Sequence, residues 1–289
     1  MTQAQQLRAL LENGRIIQAP GAPDALTARL VERAGFGAIY MTGFGATASR
    51  LGTPDIGLLT QTEMCAHART MSQVVNIPII ADADTGYGGP NNIRRTVREY
   101  LQSGVAAIHL EDQMAPKRCG QRSGVQLIDA EQGARHLQAA VAARGSDDLL
   151  IVGRTDALPA VGSDEAIDRA KRYQDAGADL VFVDGIKTIA EVEAIARGVD
   201  GPKIVSIVDG NETEQLGVAE LETMGFAIVL YAVTTLFTAS RAIADALACL
   251  HRDGTPANVG PKLSYSEFTD IVEQTNFSDF DDAYANPNT

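Results

Sequence analysis

Short apolar runs alternate with amphipathic segments along nearly the whole chain. The runs are rich in Val and Ile and mostly lack a strict apolar–polar alternation, which is typical of parallel strands buried on both faces. They predict strands at 15–19, 38–41, 79–82, 106–111, 149–154, 180–184, 203–208 and 227–232. Eight strand–helix units predict an α/β fold, a single (β/α)8 TIM-type barrel domain over residues 1–289. An open doubly wound sheet is the alternative, although no G-x-G-x-x-G motif follows the first run.

The segments between the runs predict helices at 24–33, 62–74, 91–102, 130–143 and 164–176. Ser163 and Thr188 stand where helix N-caps are expected, and glycines at 35, 104 and 177 stand near helix ends. Residues from about 240 to 289 are expected to form C-terminal helices and a tail.

The overall charge narrows the classes of partner. The formal net charge is −13 over 289 residues, so nucleic acid and an anionic membrane are poor partners. Cys65, Cys119 and Cys249 are widely spaced and odd in number, which argues against a disulfide framework. Neither a secretory signal nor a run long enough to span a bilayer is recognisable. The sequence therefore predicts a soluble, cytoplasmic protein.

The run at 79–82 leads into two carboxylates and a glycine-rich turn, Ala81-Asp82-Ala83-Asp84-Thr85-Gly86-Tyr87-Gly88. Alternate residues of a strand share a face, so Asp82 and Asp84 are expected to point the same way. A hard cation such as Mg²⁺, with Mn²⁺ as a substitute, would relieve the repulsion between them. Another run ends in Glu111-Asp112. The alternative is that these acids cap helices or are solvated.

Polar residues recur at the C-terminal ends of six predicted strands, and in a barrel these ends meet at one mouth. The residues expected there are Tyr40, Thr42, Gly43, Asp82, Asp84, Glu111, Arg154, Asp184, Ser206 and Asp209. A carboxylate-bound cation beside an arginine is a good receptor for a 2-oxo or 2-hydroxy acid.

Two longer connections carry further signals. Small residues at 42–48 allow backbone N–H groups to approach a carboxylate, and Asp55 lies beyond them. The other connection contains Lys117-Arg118-Cys119-Gly120-Gln121. Its cations are expected to stabilise the Cys119 thiolate and make this cysteine an acid–base group. A solvated basic turn with an incidental thiol is the alternative.

Together these motifs resemble the phosphoenolpyruvate mutase/isocitrate lyase superfamily, from about Gly14 to the helix after Tyr231. The matching segments are Tyr40-Met41-Thr42-Gly43, the run from Ala81 to Gly88, Leu110-Glu111-Asp112-Gln113, Lys117-Arg118-Cys119-Gly120 and Gly153-Arg154-Thr155-Asp156-Ala157. The resemblance implies an α/β barrel whose last helix is swapped between partners in a homodimer or homotetramer.

The resemblance also implies a ligand set. Asp82, Asp84 and Glu111 would hold Mg²⁺ directly or through water. The backbone of Thr42, Gly43 and Phe44, together with the Arg154 side chain, would hold the oxo-acid group of a small carboxylate. Further substrate contacts are expected from Asp55, Gly120, Gln121 and Ser206.

The cysteine-containing loop resembles that of the superfamily's carbon–carbon lyases, in which the cysteine protonates the departing enolate. It favours a 2-methylisocitrate or 2-alkylmalate type of lyase, which cleaves a 2-hydroxy-carboxylate into a 2-oxo acid and a carboxylate by retro-aldol (retro-Claisen) chemistry. The catalytic residues would be Cys119, Tyr40, Arg154, Lys117 and Asp184, with Tyr40 taking or relaying the hydroxyl proton. Phosphonate P–C chemistry, hydrolysis or decarboxylation of oxaloacetate, and non-catalytic oxo-acid binding are the alternatives.

Several positions depart from the superfamily pattern. Gln121 replaces the usual His, Asp184 a Glu and Ser206 a common Asn. The turn Asp209-Gly210-Asn211 replaces a Glu-Gly-Gly-like one. These changes make a tricarboxylate substrate less expected than a smaller or less charged hydroxy acid. Residues 113–126 are expected to form a mobile lid.

Overall fold

A computed structural model describes residues 1–285, and its strands close into a parallel barrel. The strands follow one another around the barrel in chain order, and the last pairs with the first. They are β1 (Ile17–Ala22), β2 (Ile39–Met41), β3 (Ile79–Asp82), β4 (Ala107–Glu111), β5 (Leu150–Thr155), β6 (Leu180–Val183), β7 (Lys203–Ile207) and β8 (Ile228–Tyr231). The predicted (β/α)8 barrel is confirmed. The largest difference is that β1 ends at Ala22 instead of residue 19.

The helices within residues 1–285 are α1 (Gln3–Glu12), α2 (Ala25–Arg33), α3 (Gly43–Leu51), α4 (Gln61–Ser72), α5 (Pro90–Ser103), α6 (Ala130–Arg144), α7 (Ala157–Val161), α8 (Ser163–Asp175), α9 (Ile189–Gly198), α10 (Val218–Thr223), α11 (Thr234–Asp253), α12 (Tyr265–Ile271) and α13 (Gln274–Tyr284). Short 3-10 helices lie at Glu212–Gln215 and Pro256–Asn258. Within this part of the chain, no helix is long and apolar enough to cross a membrane.

Polar caps begin several helices. The Thr188 side chain accepts a hydrogen bond from the backbone N–H of Glu191, whose carboxylate in turn accepts one from Thr188 N–H. The predicted cap at Ser163 is wrong, because Ser163 is the first residue of α8 itself. Gly162 precedes it with a φ of 99° and no side-chain cap. A left-handed glycine, and not a hydroxyl, makes the sharp turn between α7 and α8.

Strand side chains alternate between two apolar layers, one facing the helices and one filling the barrel. The interior layer includes Ile80, Val152, Phe182 and Ile204. Two residues further along the same strand directions come Asp82, Arg154, Asp184 and Ser206. The period of two that buries the apolar residues therefore places the polar ones at the C-terminal end of the same interior.

The chain divides into two compact units, Met1–Thr235 and the part from Leu236 onward. The second unit contains most of α11 together with α12 and α13. Large apolar side chains are exposed on α11 at Ile243, Leu247 and Leu250, with spacings of four and three residues. On an α-helix this spacing forms one stripe. The last residues of the expected tail, 286–289, lie outside the described part of the chain.

Candidate active site

The polar strand ends meet at the barrel mouth, as expected. Asp82, Glu111, Arg154, Asp184 and Ser206 are all buried there. Arg154 joins several of them, because its Nη2 lies 2.6 Å from Asp184 Oδ2 and 3.4 Å from Glu111 Oε2. Its Nη1 lies 4.0 Å from Asp82 Oδ2. One guanidinium thus links acids that come from three other strand ends.

Arg154 is held by Asp156, which follows its own strand, and by a ring on β6. Its Nε and Nη2 donate to the two oxygens of Asp156 at 3.1 and 2.9 Å, and its guanidinium carbon lies 5.5 Å from the centre of the Phe182 ring. Burial opposes the charge, but Asp156 and Asp184 raise the pKa of Arg154. The edge of the guanidinium that carries Nε and Nη2 is therefore occupied by Asp156. A bound carboxylate would meet the remaining edge.

Asp156 is itself fixed by a buried network that the sequence did not reveal. Asp112 Oδ1 accepts from the backbone N of Asp156 at 3.0 Å, and Asp112 Oδ2 accepts from Thr155 Oγ1 at 2.7 Å. Arg169 Nη1 and Tyr173 OH also donate to Asp112 Oδ2, at 3.1 and 2.6 Å. Four donors on one carboxylate hold the end of β5 in place. Arg169 and Tyr173 lie on α8, and their sequence pattern resembles that of any amphipathic helix.

A second buried cation, Lys117, comes from the loop after β4. Its Nζ lies 2.7 Å from Asp55 Oδ1 and 2.7 Å from Asp84 Oδ1. Burial opposes the charge, but Asp84 and Glu111 raise the pKa of Lys117 well above its ordinary value. The structure thus places Asp55 beside Lys117 and Asp84, so that the two longer connections meet at this point.

Asp82 and Asp84 do not share a strand face, which corrects the prediction. β3 ends at Asp82, and Asp84 has a left-handed φ of 45°. This turn lets the backbone N–H of Asp84 donate to Asp82 Oδ1 at 2.9 Å. The two carboxylates therefore differ in pKa. Burial opposes ionisation of Asp82, but His109 and Lys117 outweigh it and lower its pKa. Burial raises the pKa of Asp84 despite Lys117.

The Gly43 amide donates to Asp82 Oδ2 at 3.2 Å, and its contact with the substrate stays a prediction. A Cβ at this glycine would overlap the same carboxylate oxygen, so only glycine permits the approach. Thr42 caps α3 by accepting from Gly45 N–H at 3.3 Å. Thr42 and Gly43 therefore position Asp82 at the start of α3, where the helix dipole favours an anion. Substrate contacts of Thr42 and Phe44 stay predictions.

His109 is a site residue that sequence reasoning missed. Its Nε2 lies 3.2 Å from the Tyr40 hydroxyl, and its Nδ1 lies 3.6 Å from Asp82 Oδ1. Burial lowers the pKa of His109 to about 4 and raises the pKa of Tyr40 well above its ordinary value. The signal was available, because His109 is two residues before Glu111 on β4 and pairs in register with Asp82.

The loop from Gln113 to Gln126 is seated over the mouth. The Gln113 side chain donates to the Arg118 carbonyl and accepts from the Arg118 N–H, both at 2.8 Å. A Cβ on Gly120 would overlap Asp156 Oδ1, and would come within 2.7 Å of Asp184 Oδ2. The loop backbone therefore packs directly on the acids around Arg154. Its predicted mobility stays a prediction.

The expected thiolate at Cys119 is wrong. Burial raises the pKa of the Cys119 thiol to about 11, although a backbone hydrogen bond from Gln121 acts in the opposite direction. Lys117 does not offset this effect of burial, since its ammonium is turned toward Asp55 and Asp84. A thiol that keeps its proton is suited to act as an acid.

Carboxylates outnumber cations at this mouth. Beside Lys117 and Arg154 stand Asp55, Asp82, Asp84, Glu111, Asp156 and Asp184. Both carboxylate oxygens of Glu111 are buried without a hydrogen bond to any of residues 1–285, and burial raises the pKa of Glu111 well above its ordinary value. These oxygen donors fit a hard dication such as Mg²⁺.

The acids are not already arranged as a metal cluster, since no group of three or more His, Cys, Asp or Glu side chains within residues 1–285 has that geometry. A cavity of about 510 Å³ borders Asp84, Glu111 and Lys117. It has room for the waters that Mg²⁺ keeps around it.

Comparisons with known proteins agree with this geometry. The phosphoenolpyruvate phosphomutase family model matches residues 7–251. The chain is 41% identical over 286 residues to 2,3-dimethylmalate lyase of Eubacterium barkeri, covering 99% of each chain. It is 35% identical over 279 residues to 2-methylisocitrate lyase of Halalkalibacterium halodurans, covering 96% of this chain and 92% of that one.

Two solved structures extend the comparison. Oxaloacetate acetylhydrolase in complex with 3,3-difluorooxalacetate superposes with a TM-score of 0.93 at 34% identity, covering 100% of this chain and 99% of the other. Phosphonopyruvate hydrolase in complex with oxalate and Mg²⁺ superposes with a TM-score of 0.90 at 31% identity, covering 99% and 100%. An oxaloacetate acetylhydrolase and a phosphonopyruvate hydrolase thus share this fold.

Proposed function

The chain belongs to the phosphoenolpyruvate mutase/isocitrate lyase superfamily, and from this premise we propose that it is a Mg²⁺-dependent carbon–carbon lyase. Its substrate would be a 2-hydroxy-dicarboxylate of the 2-alkylmalate kind, cleaved into a 2-oxo acid and a carboxylate. The observation that carries the proposal is the half-buried Cys119, on a loop seated against the Arg154 acids, whose thiol pKa is raised to about 11. A carbanion leaving group needs such an acid, and the similarity of the chain to 2,3-dimethylmalate lyase supports the same class of substrate.

Asp82, Asp84 and Glu111 would hold the Mg²⁺, directly or through water. When bound, the ion supplies Lewis-acid polarisation of the substrate's 2-oxygen and carboxylate. Mn²⁺ would substitute. Arg154, locked by Asp156, would bind and orient the oxo-acid end and stabilise negative charge there. Asp184, 2.6 Å from Arg154 Nη2, would help to hold the guanidinium.

The hydroxyl proton would leave through Tyr40. Because the pKa of Tyr40 is raised, the phenol is neutral and acts as a relay, not as a preformed base. It would accept the substrate proton while passing its own to the neutral His109 Nε2, 3.2 Å away. Asp82, 3.6 Å from Nδ1, would stabilise the imidazolium that results.

The bond between C2 and C3 then breaks, and its electron pair goes to the departing carboxylate fragment. The Cys119 thiol would donate its proton to C3, leaving a thiolate. The seated loop would exclude water from this carbanion, because Lys117 pins it to Asp55 and Asp84. After product release, the thiolate and the imidazolium return to their starting protonation states by net transfer of one proton.

The test is product analysis in D₂O. Purified protein with Mg²⁺ and 2,3-dimethylmalate is expected to release a 2-oxo acid, and to place one deuterium on the carboxylate fragment. Cys119→Ser should retain oxalate and Mg²⁺ binding but lose most turnover, because a hydroxyl is a far weaker acid than a thiol. Absence of cleavage of every 2-hydroxy acid offered, with turnover of a phosphonate, would refute the lyase assignment.

Hydrolysis of oxaloacetate is the second candidate, favoured by the superposition on oxaloacetate acetylhydrolase. The same assay distinguishes the two reactions, since oxaloacetate would yield oxalate and acetate, whereas 2,3-dimethylmalate would yield a 2-oxo acid and an alkyl-substituted carboxylate.

We also propose that α11 is exchanged between copies in a cytoplasmic homo-oligomer. Its exposed stripe of Ile243, Leu247 and Leu250 would be covered in this way. Light scattering of wild type and Leu247→Glu would test it.

A further inference from the structure

Two of the positions that depart from the superfamily pattern contact each other. Asn211 Nδ2 donates to Gln121 Oε1 at 3.1 Å. The same Nδ2 lies 3.5 Å from the carbonyl oxygen of Ile186. Both neighbours are acceptors, so the amide of Asn211 presents its N–H groups to them and Gln121 presents its carbonyl to Asn211. The orientation of the Gln121 amide is thereby fixed.

The other end of this amide has no partner. Gln121 Nε2 is buried and makes no hydrogen bond within residues 1–285. Buried donors in folded proteins are nearly always satisfied by protein, water or ligand. An unpaired N–H at the edge of an active site therefore indicates that an acceptor arrives with the substrate.

Residue 121 lies beside the group that protonates the departing fragment. Its backbone N–H donates to the Cys119 thiol. Gly120, between the two, packs against Asp156 and Asp184, and its carbonyl lies close to Gly185 on the β6–α9 connection. The carboxylate of a fragment whose carbon faces Cys119 is thus within reach of this part of the loop.

Within the proposed lyase reaction, on which this inference rests, we propose that Gln121 is the specificity residue for the departing fragment. Its Nε2–H donates to the single carboxylate of that fragment, and Asn211 is the positioning residue that keeps this donor turned inward. The carboxylate gains negative charge while the carbon–carbon bond breaks and returns to one charge when the Cys119 proton reaches carbon. The Gln121 N–H would stabilise that transient charge.

The pair also sets the substrate class. A tricarboxylate such as 2-methylisocitrate carries two carboxylates on the departing fragment, whereas 2,3-dimethylmalate carries one. Near residue 121 the chain offers the amide of Asn211 and the acid Asp184, with Arg154 committed to Asp156. A second carboxylate there would lie beside the acids Asp156 and Asp184, which already pair with the nearby Arg154 Nη2. The 2-alkylmalates are therefore the class that Gln121 admits.

The test compares kcat/KM for 2,3-dimethylmalate and 2-methylisocitrate, with Mg²⁺, at pH 6 and pH 8. Gln121→Leu should lower kcat/KM for the dicarboxylate about 10- to 100-fold, since it leaves a charged partner without its donor. Gln121→His should shift the ratio toward the tricarboxylate about tenfold at pH 6 and less at pH 8, because imidazole is charged only below a pKa of about 6.5. Because both substrates are assayed with the same enzyme, ionisations that affect both reactions equally do not change the ratio of their kcat/KM values.

The control and the positioning role need two further variants. Gln126→His adds an imidazole to an exposed position of the same loop and should leave the ratio unchanged. Asn211→Asp replaces a donor by an acceptor, so the Gln121 amide should turn and present its oxygen to the fragment. The loss should match that of Gln121→Leu, and the double variant should be no worse than either single one.

The outcomes separate the two proposals. Cleavage by wild type with less than threefold change in Gln121→Leu and Asn211→Asp, or an unchanged ratio in Gln121→His, would overturn the specificity role alone. A wild type that cleaves neither substrate would overturn the proposed function and this inference with it. Circular dichroism melting of each variant checks that the comparison is made on folded protein.

Discussion

The two buried cations of the mouth, Arg154 and Lys117, are alike in burial and differ in origin. Arg154 is 6% exposed and Lys117 is 5% exposed. Arg154 belongs to β5, whose pairing with β4 and β6 fixes it in the barrel wall. Lys117 belongs to a loop, and its ion pairs with Asp55 and Asp84 are among the contacts that seat this loop. One cation is built into the scaffold, and the other arrives with the loop.

Arg154 is therefore a permanent cation of the site, present whether the loop is open or closed, and Lys117 is a conditional cation, present only when the loop is closed. If the loop opens, Arg154 keeps Asp156 and its strand neighbours, whereas Asp55 and Asp84 lose their cation. Asp84, one of the three acids proposed to hold Mg²⁺, would then be free of Lys117 to meet a metal ion from solvent. Loop movement and cation binding are therefore expected to be coupled, with the Arg154 side of the mouth unchanged.

The largest effect is expected from the permanent cation. Arg154→Lys should lower kcat/KM about 10³-fold, because an ammonium cannot keep the fork to Asp156 and also face the substrate. Steady-state kinetics measures the loss. Arg197→Lys, at an exposed helical ion pair, is the matched control and should change little. Retention of activity within tenfold in Arg154→Lys would mean that this guanidinium is only structural.

The conditional cation is tested by Lys117→Met. Removing one partner of a buried ion pair typically costs about 3–5 kcal/mol, and opening of the loop relieves that cost here. We expect kcat/KM to fall about 10²-fold and amide exchange of residues 113–126 to accelerate, while β5 stays protected. Arg118→Met removes the same charge from an exposed neighbour and is the control. Equal amide exchange of residues 113–126 in both variants would show that Lys117 does not hold the loop closed.

Metal binding should appear in the pH dependence of stability. Burial raises the folded-state pKa of Asp84 and Glu111, so these groups favour the folded state when protonated. Their contribution is present below their ordinary pKa of about 4 and is lost as pH rises through the raised value.

Mg²⁺ should offset that loss. We expect it to raise Tm by several degrees at about pH 8, and by less at about pH 5, relative to EDTA. Asp84→Asn should lose most of this difference, while Asp147→Asn, at an exposed acid, should keep it. A Mg²⁺ effect equal at both pH values would contradict the carboxylate assignment.

The smallest effect concerns Cys119, which lies on the same loop as Lys117. Because burial raises its pKa to about 11, the thiolate fraction is small at neutral pH and alkylation should be slow. The rate of iodoacetamide labelling at Cys119, followed by mass spectrometry of peptides, should rise steadily from pH 7 to pH 10. A labelling rate that is already at its plateau at pH 7 would show that one of the cations stabilises the thiolate after all.

The barrel and the membership of its mouth follow from the sequence because they depend on local regularities. The period of two within β3, β5, β6 and β7 puts Asp82, Arg154, Asp184 and Ser206 at one end of one interior. Parallel strands must end together, so the order of residues alone suffices to group the acids with Arg154 and Tyr40. Hydrophobic burial and backbone geometry are the physical effects that determine the barrel and the residues at its mouth.

The state and the partner of each group were decided by tertiary structure. Sequence adjacency of Lys117 and Arg118 suggested a thiolate at Cys119, yet the ammonium turns to Asp55 and Asp84, which are distant in the chain. Likewise the fork of Arg154 goes to Asp156, and Gln121 pairs with Asn211 across 90 positions. Charges and hydrogen bonds act over a few ångströms in space, and the order of residues does not carry that distance until the barrel has closed.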